Sequence, residues 1–363
     1  MSGSNRVLVV TGDPGGARVL IPSVVDLARA HPKWSVQVLA GPNSEALWRG
    51  AGLPMRFCDP SVSREVAGRM LASWGPDLLV CGTSFESPME SRFRVAARAD
   101  GVPSFTVLDH WGNYKERYFL RRGGLALPDR LGVPDSFARR RCVEEGLPAR
   151  ILVTVGHPVL EQYSAVRAAP ASELAQVVFL SEPISWDGEL QAKVIRNQDH
   201  NELTVLRSLL EAFASDADLK KRPLLIRPHP IEPEDRLREV VDRHAPDGLD
   251  VRIDRSGAIE KVFAQSGAVI GMTSIALLQA WLMGYPVLSL EAEDANRQYP
   301  DDILRFLPRL RSEACFIEAV SAWLKRPGRP HRALRRGRKP RLPKGSIGRI
   351  RREMERLIDA KSR

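Results

Sequence analysis

The first 160 residues alternate short apolar runs with amphipathic segments. Val7–Thr11, Ser35–Ala40, Asp77–Cys81, Ser104–Leu108 and Ile151–Val155 are rich in Val, Leu and Ile without polar alternation. That is the pattern of parallel strands buried on both faces. Helical segments are predicted between them at Ala17–Ala30, Ser44–Gly50, Arg64–Trp74, Glu90–Ala99 and Asp135–Glu145. Strand–helix alternation at this interval predicts a doubly wound α/β sheet. Residues 164–176, SAVRAAPASELAQ, carry no strand signal and read as a linker. The pattern then restarts, with strands predicted at Val177–Ser181, Leu224–Arg227, Val251–Ile253, Ala268–Ile270 and Val287–Leu290. The matching helices are His200–Phe213, Pro233–Arg243, Ile259–Ala264, Ser274–Met283 and Glu313–Leu324. Two α/β units are thus expected, over residues 1–163 and 177–325.

The remainder, 326–363, has a different character. Residues 326–346 contain four prolines and three glycines and predict little regular structure. In 347–361 the positions Ile347, Ile350, Met354, Leu357 and Ile358 fall on one face of an amphipathic helix.

Length and composition narrow the class. A chain of 363 residues, 43% hydrophobic and 27% charged, is globular and long enough for two domains. Cys58, Cys81, Cys142 and Cys315 lie far apart with no CxxC pair, which excludes a zinc ribbon and a disulfide framework and suits a reducing cytoplasm. No secretory signal is legible at the N-terminus. The most apolar stretch, Thr273 to Leu290, is broken by Gln279, Gly284 and Pro286 and does not read as a membrane span. The expectation is a cytoplasmic protein.

Charge changes the picture only after it is divided. The net charge is +10, yet residues 325–363 hold 16 Lys/Arg against 3 Asp/Glu. The other 324 residues hold 38 against 41, a net −3. The basicity therefore belongs to the tail, which predicts attachment to an anionic membrane surface at the inner membrane face, with the helical stripe inserting shallowly. The alternative is that the last helix packs on the first domain. Nucleic acid is a weaker partner for this tail, because it lacks interleaved aromatics.

Four clusters carry candidate chemistry. Gly12-Asp13-Pro14-Gly15-Gly16 follows the first strand; its glycines allow a ligand to approach the backbone and the next helix's N-terminus. It departs from G-x-G-x-x-G, and its bland reading is a tight turn. Asp109-His110-Trp111-Gly112-Asn113-Tyr114, with Arg117 and Tyr118 beyond, follows the strand SFTVL. Catalytic groups gather at such strand ends in open α/β sheets; the competing reading is an Asp cap with a core Trp. Arg227-Pro228-His229-Pro230 delivers an Arg to neutralise phosphate and a His to bond it or protonate a leaving oxygen. Gly271-Met272-Thr273-Ser274 opens a helix with two hydroxyls and free backbone N–H groups, an anion site that is also an ordinary N-cap. Ser181-Glu182 and Glu291, at further strand ends, are candidate nucleotide contacts. Asp216-Ala217-Asp218 precedes Lys220-Lys221-Arg222 and reads as a solvated loop. The seven histidines show no ligand spacing, and neither metal nor cofactor is expected.

The order of these motifs resembles a superfamily. A Gly-rich first turn, the element Thr154–Val159, a strand ending in RPHP, G-M-T-S opening a helix and GYPVLSLE over Gly284–Glu291 are similar to GT-B nucleotide-sugar enzymes of bacterial surface polysaccharides. That group includes sialyl- and polysialyltransferases, capsule glycosyltransferases and UDP-N-acetylglucosamine 2-epimerases. The resemblance implies a GT-B fold, two Rossmann-like domains facing a central cleft. It implies that His229, Thr273 and Ser274 hold a donor phosphate; Arg227, Met272, Gly15, Gly16, Ser181, Glu182 and Glu291 stand beside them as candidate contacts read from the sequence. Asp109 matches the position of a catalytic base, with His110 and then Asp13 as substitutes. The activity implied is metal-independent inverting transfer of a sugar, such as a CMP-activated nonulosonic acid, to a glycan or lipid-linked acceptor. Two alternatives stand beside it: a UDP-sugar 2-epimerase or hydrolase, and a non-catalytic nucleotide-sugar-binding protein. Ile231-Glu232 and Met272-Thr273 replace the Asn and the Gly-Gly turn that epimerases usually show.

Overall fold

A computed structural model describes residues 4–84, 87–120, 123–163, 175–185, 200–230, 232–293 and 302–361. The chain divides into two compact units, Met1–Gln162 with Arg341–Arg363, and Tyr163–Pro340. The predicted linker falls at this division, and its residues 164–174 lie outside the described residues.

In unit 1 the strands are β1 (Arg6–Thr11), β2 (Ser35–Ala40), β3 (Met55–Phe57), β4 (Leu78–Cys81), β5 (Ser104–Val107), β6 (Arg130–Val133) and β7 (Leu152–Thr154). They form a wholly parallel sheet in the order β3-β2-β1-β4-β5-β6-β7. The helices are α1 (Pro14–Ala30), α2 (Glu45–Gly50), α3 (Arg64–Trp74), α4 (Met89–Ala99), α5 (Ser136–Glu144) and α6 (Pro158–Tyr163), the last ending one residue into the second unit. The continuous apolar strands have helices on both faces, so Val7, Val9 and Val80 are fully buried on one side, and Val10, Leu79 and Cys81 on the other. This is the Rossmann-like doubly wound architecture.

Unit 2 repeats it with β8 (Gln176–Leu180), β9 (Leu224–Arg227), β10 (Val251–Ile253), β11 (Ser266–Gly271), β12 (Val287–Ser289), β13 (Arg309–Leu310) and β14 (Leu334–Arg335), in the order β10-β9-β8-β11-β12-β13-β14. Only the edge strand β14 runs antiparallel to its neighbour. The helices are α7 (Glu202–Ala214), α8 (Glu234–His244), α9 (Ile259–Ala264), α10 (Ile275–Met283) and α11 (Phe316–Lys325). Local chemistry sets several ends. Asn201 caps α7 through a capping box, Ser274 caps α10, and Gly284 ends α10 at φ 94°.

Two features depart from the sequence expectation. The strands β3, β6 and β13 are not in the apolar pattern: they are short, and β6 contains Arg130 and Gly132. Gly132 is required there, because a Cβ would stand 2.9 Å from Val155 and 3.2 Å from the Phe105 ring. The second departure is the basic tail, which is not one appendage. Its residues up to Pro340 belong to unit 2, where Leu334 is buried and β14 extends the sheet. From Arg341 the chain belongs to unit 1, and α12 (Ser346–Lys361) packs on α1. Ile350, Met354 and Ile358 join the core of Val24 and Leu27, each at most 1% exposed. The apolar stripe is therefore not available for insertion into a bilayer, which corrects that part of the membrane expectation. No helix among the described residues is long and apolar enough to cross a membrane.

Met354→Ala in the full chain is expected to cost about 2–5 kcal/mol of unfolding free energy, the range for buried Met truncations. Urea denaturation checks this; a loss under about 0.5 kcal/mol would mean that α12 is not part of the folded core.

Candidate functional site

Strand order reverses between β1 and β4 in unit 1 and between β8 and β11 in unit 2, and ligands in such sheets bind at these switch points. The sequence-predicted residues collect at the carboxyl edges of the two sheets, one set in each unit.

In unit 1, the turn Gly12–Gly16 leaves β1 beside Gly82-Thr83-Ser84, which leaves β4. Two glycines make this approach possible. A Cβ on Gly16 would lie 2.9 Å from the Gly82 Cα, and one on Gly15 would overlap Asp109 Oδ2. The Asp109 carboxylate is thus seated against the first turn of α1. Its Oδ1 accepts from the Thr83 hydroxyl at 2.7 Å and from Arg117 Nη1 at 3.1 Å. Arg117 is itself fixed by donating to the carbonyls of Thr83 at 2.6 Å and Gly112 at 3.3 Å. His110 is half-buried beside it, and Asp13, also half-buried, is at the N-cap of α1 without capping it through its side chain.

Two residues that sequence reasoning did not single out hold this edge in place. Glu90, on α4, is 2% exposed, and its Oε1 accepts from Gly12 N–H at 2.8 Å and from the Ser84 hydroxyl. Burial raises its pKa above the usual carboxyl value. His157, in the GHP element, is likewise buried. Its Nδ1 faces the Leu160 N–H at 3.3 Å and must accept, so Nε2 carries the proton and donates to the Asp109 carbonyl at 3.1 Å. Its ring stacks on Trp111, whose Nε1 donates to Asp135 at 3.2 Å. Trp111 is fully buried, as the core reading of that cluster expects, while it also supports the residue that holds Asp109. Burial lowers the His157 pKa to about 4, so the ring is neutral at pH 7.

In unit 2, Thr273 follows β11 and presents two donors. Its N–H and its hydroxyl donate to the Glu182 carboxylate at 2.7 and 2.8 Å. Ser274 Oγ accepts from Ala276 N–H at 3.2 Å, so it caps α10. Met272 is buried, and its carbonyl accepts from the Ser289 hydroxyl at 2.7 Å. His229 is half-buried on a loop whose position Glu232 fixes: that carboxyl accepts from His229 N–H at 2.9 Å and from the Ser181 hydroxyl at 2.7 Å. Burial raises the Glu232 pKa as it does that of Glu90. Arg255 closes the loop by donating to the carbonyls of Pro230 at 3.1 Å and Glu232 at 2.6 Å.

Two predicted contacts have other partners here. The Arg227 guanidinium turns to the 254–257 loop, donating to the carbonyls of Ser256 and, at 2.8 Å, Gly257. Glu291 is buried 3.3 Å from His200 Nε2, whose Nδ1 lies 3.1 Å from Glu313.

No family model and no curated protein matches the chain. Solved structures do. The S. aureus MnaA–UDP structure superposes with a TM-score of 0.67 over 98% of this chain and 97% of that one, at 12% identity. A UDP-GlcNAc 2-epimerase from Methanocaldococcus jannaschii gives 0.63 over 97% and 99%, also at 12% identity. The glycosyltransferase of kitacinnamycin gives 0.56 over 99% and 98%, at 14% identity. The fold is GT-B-like. Identities this low establish the architecture of the two Rossmann-like units and leave their chemistry to the residues above.

The neutral His157 makes a pH prediction. Its folded pKa, about 4, lies below the unfolded value of 6.5, so its contribution is fully present above pH 6.5 and is lost as pH falls toward 4. Measured against His157→Gln by urea denaturation at pH 7 and pH 4, the wild type should lose roughly 3 kcal/mol more than the variant. Equal losses would mean that His157 protonates freely in the fold. Separately, Gly15→Ala should displace the Asp109 carboxylate. Its activity should fall at least tenfold, with a loss of about 1–3 kcal/mol of unfolding free energy as Thr83 and Arg117 lose their acceptor.

Proposed function

We propose that this protein is a metal-independent glycosyltransferase that takes its sugar from a nucleotide donor. One observation carries the reading: at the switch point of unit 2, Thr273 aims an N–H and a hydroxyl together at a carboxylate, at the N-terminus of α10. Donors so paired at a helix N-terminus suit any anionic oxygen, and a nucleotide phosphate offers the same acceptors as the Glu182 carboxylate now there. His229, held by Glu232 on the adjoining loop, is the second phosphate contact and the group that stabilises the departing oxygen.

Asp109 supplies the base. With Oδ1 engaged by Thr83 and Arg117, the oxygen facing Gly15 is the one that takes the acceptor hydroxyl proton, a contribution of about 10²–10⁴-fold. His110 and Asp13 are the substitutes. The resemblance to sialyltransferase-type enzymes favours a CMP-activated nonulosonic acid as donor and a surface glycan or lipid-linked sugar as acceptor. The second reading, a UDP-sugar 2-epimerase, draws on the Methanocaldococcus jannaschii UDP-GlcNAc 2-epimerase, which matches over nearly the whole chain. The two differ in one requirement: epimerisation proceeds without an acceptor.

A thermal-shift panel of CMP, CDP, UDP and GDP should give one nucleotide that raises the midpoint, because a ligand of the folded state stabilises it by mass action. Thr273→Val, which keeps the N–H and loses the hydroxyl, should weaken that nucleotide's binding about tenfold or more and shrink the shift. Asp109→Asn should keep the shift and lose at least 10²-fold in turnover with the matching nucleotide sugar. Turnover of a UDP-sugar with no acceptor present would decide for the epimerase, and no shift with any nucleotide would overturn both readings.

A further inference from the structure

The segment between α11 and α12 is the most strongly charged part of the molecule. Residues 325–344 hold ten Lys/Arg and no Asp or Glu. The chain there is fixed, although it has almost no regular structure. β14 pairs with β13, Arg311 N–H donates to the Ala333 carbonyl at 2.9 Å, and Arg338 N–H donates to that of Phe306 at 2.9 Å. Gly337 is pressed so closely on Phe306 and Pro308 that no Cβ fits. Lys339 donates to the Leu282 carbonyl at 3.1 Å and lies over the Trp281 ring, and at the far end Glu161 accepts from the N–H groups of Gly345 and Ser346.

The backbone is anchored while the cationic side chains point outward. Arg326, Arg329, Arg332, Arg336, Arg338, Arg341 and Lys344 are exposed, and none has an acidic partner among the described residues. Some surface cations elsewhere are paired, as in Arg49–Glu45, Arg207–Glu211 and Arg238–Glu234, but no other twenty-residue stretch of the sequence holds so many Lys/Arg without an Asp or Glu. A body of net −3 that gathers its excess cations on one segment presents there a surface complementary in charge to a polyanion.

We propose that residues 326–340, the part of this segment that belongs to unit 2, dock this protein on an anionic lipid bilayer by electrostatics alone. The charges are spread along an extended segment, which matches a field of headgroups better than a single phosphate group. The segment has no Phe, Tyr or Trp with which to stack on bases, so nucleic acid is the less suited polyanion. The apolar stripe of α12 is buried in unit 1, so nothing here inserts and salt should reverse the docking completely. The inference is independent of the proposed activity; a lipid-linked acceptor would be presented at such a surface.

The full chain is tested by co-sedimentation with vesicles of phosphatidylcholine alone or with 30% phosphatidylglycerol, at about 50 and 500 mM salt. Binding should appear only with the anionic lipid at low salt. The variant Arg329→Gln, Arg332→Gln, Arg336→Gln, Arg338→Gln should keep the wild-type thermal midpoint and bind at least a hundredfold more weakly, since four such charges at about fivefold each multiply to several hundredfold. No binding to anionic vesicles at low salt, or undiminished binding by the quadruple variant, overturns the proposal. So does displacement from the vesicles by an equal phosphate concentration of duplex DNA or single-stranded RNA, which would make nucleic acid the partner.

Discussion

The architecture of both candidate edges depends on a buried carboxyl that ties two neighbouring strand ends together. In unit 1, Glu90 takes the Gly12 N–H beyond β1 and the Ser84 hydroxyl beyond β4. In unit 2, Glu232 takes the His229 N–H beyond β9 and the Ser181 hydroxyl beyond β8. Loops at the carboxyl edge of a parallel sheet have no ladder partners, and a buried N–H left unpaired costs on the order of 1–3 kcal/mol. One carboxyl that accepts from a backbone donor and a hydroxyl removes that cost and fixes the spacing of two loops at once. Burial raises the pKa of both groups, because it strips solvation from the charged form.

Fixed loops then allow close approach. Gly15 and Gly16 have no Cβ, and the space so left admits the Asp109 carboxylate on one side and the Gly82 backbone on the other. Asp109 is held from three directions, by Thr83, by Arg117 and through its own carbonyl by His157. A group restrained in this way loses little entropy when it meets a substrate, which is how positioning contributes to rate. In unit 2 the equivalent restraint falls on Thr273, whose two donors already point at one carboxylate.

The C-terminal segment shows how misleading summed charge can be. A net +10 describes neither unit: residues 325–363 alone exceed it, and within them α12 serves the core of unit 1 while its polar face pairs Glu355 with His31 and Arg351 with Asp26. What remains for an outside partner is the anchored stretch before it, where the composition predicted little regular structure.

By itself the sequence determined the class of fold. Ten strands and most helices were legible because burial on both faces demands unbroken Val, Leu and Ile, and because helices repeat their apolar positions at a fixed period. The loops that bear Gly15, Asp109, His229 and Thr273 were legible too, since parallel strands can place chemistry only at their carboxyl ends. Tertiary structure alone decided the rest. The two-to-four-residue strands β3, β6 and β13 depend on neighbours for their hydrogen bonds, and Gly132 enters β6 only because Phe105 and Val155 leave no room for a side chain. Glu90 and Glu232 carry no local signal, because a Glu on a helix or loop reads as solvated until the fold buries it. The same holds for the direction of Arg227, the support of Asp109 by His157, and the seat of α12. Each depends on which residues distant in sequence meet, and periodicity within a short window does not contain that information.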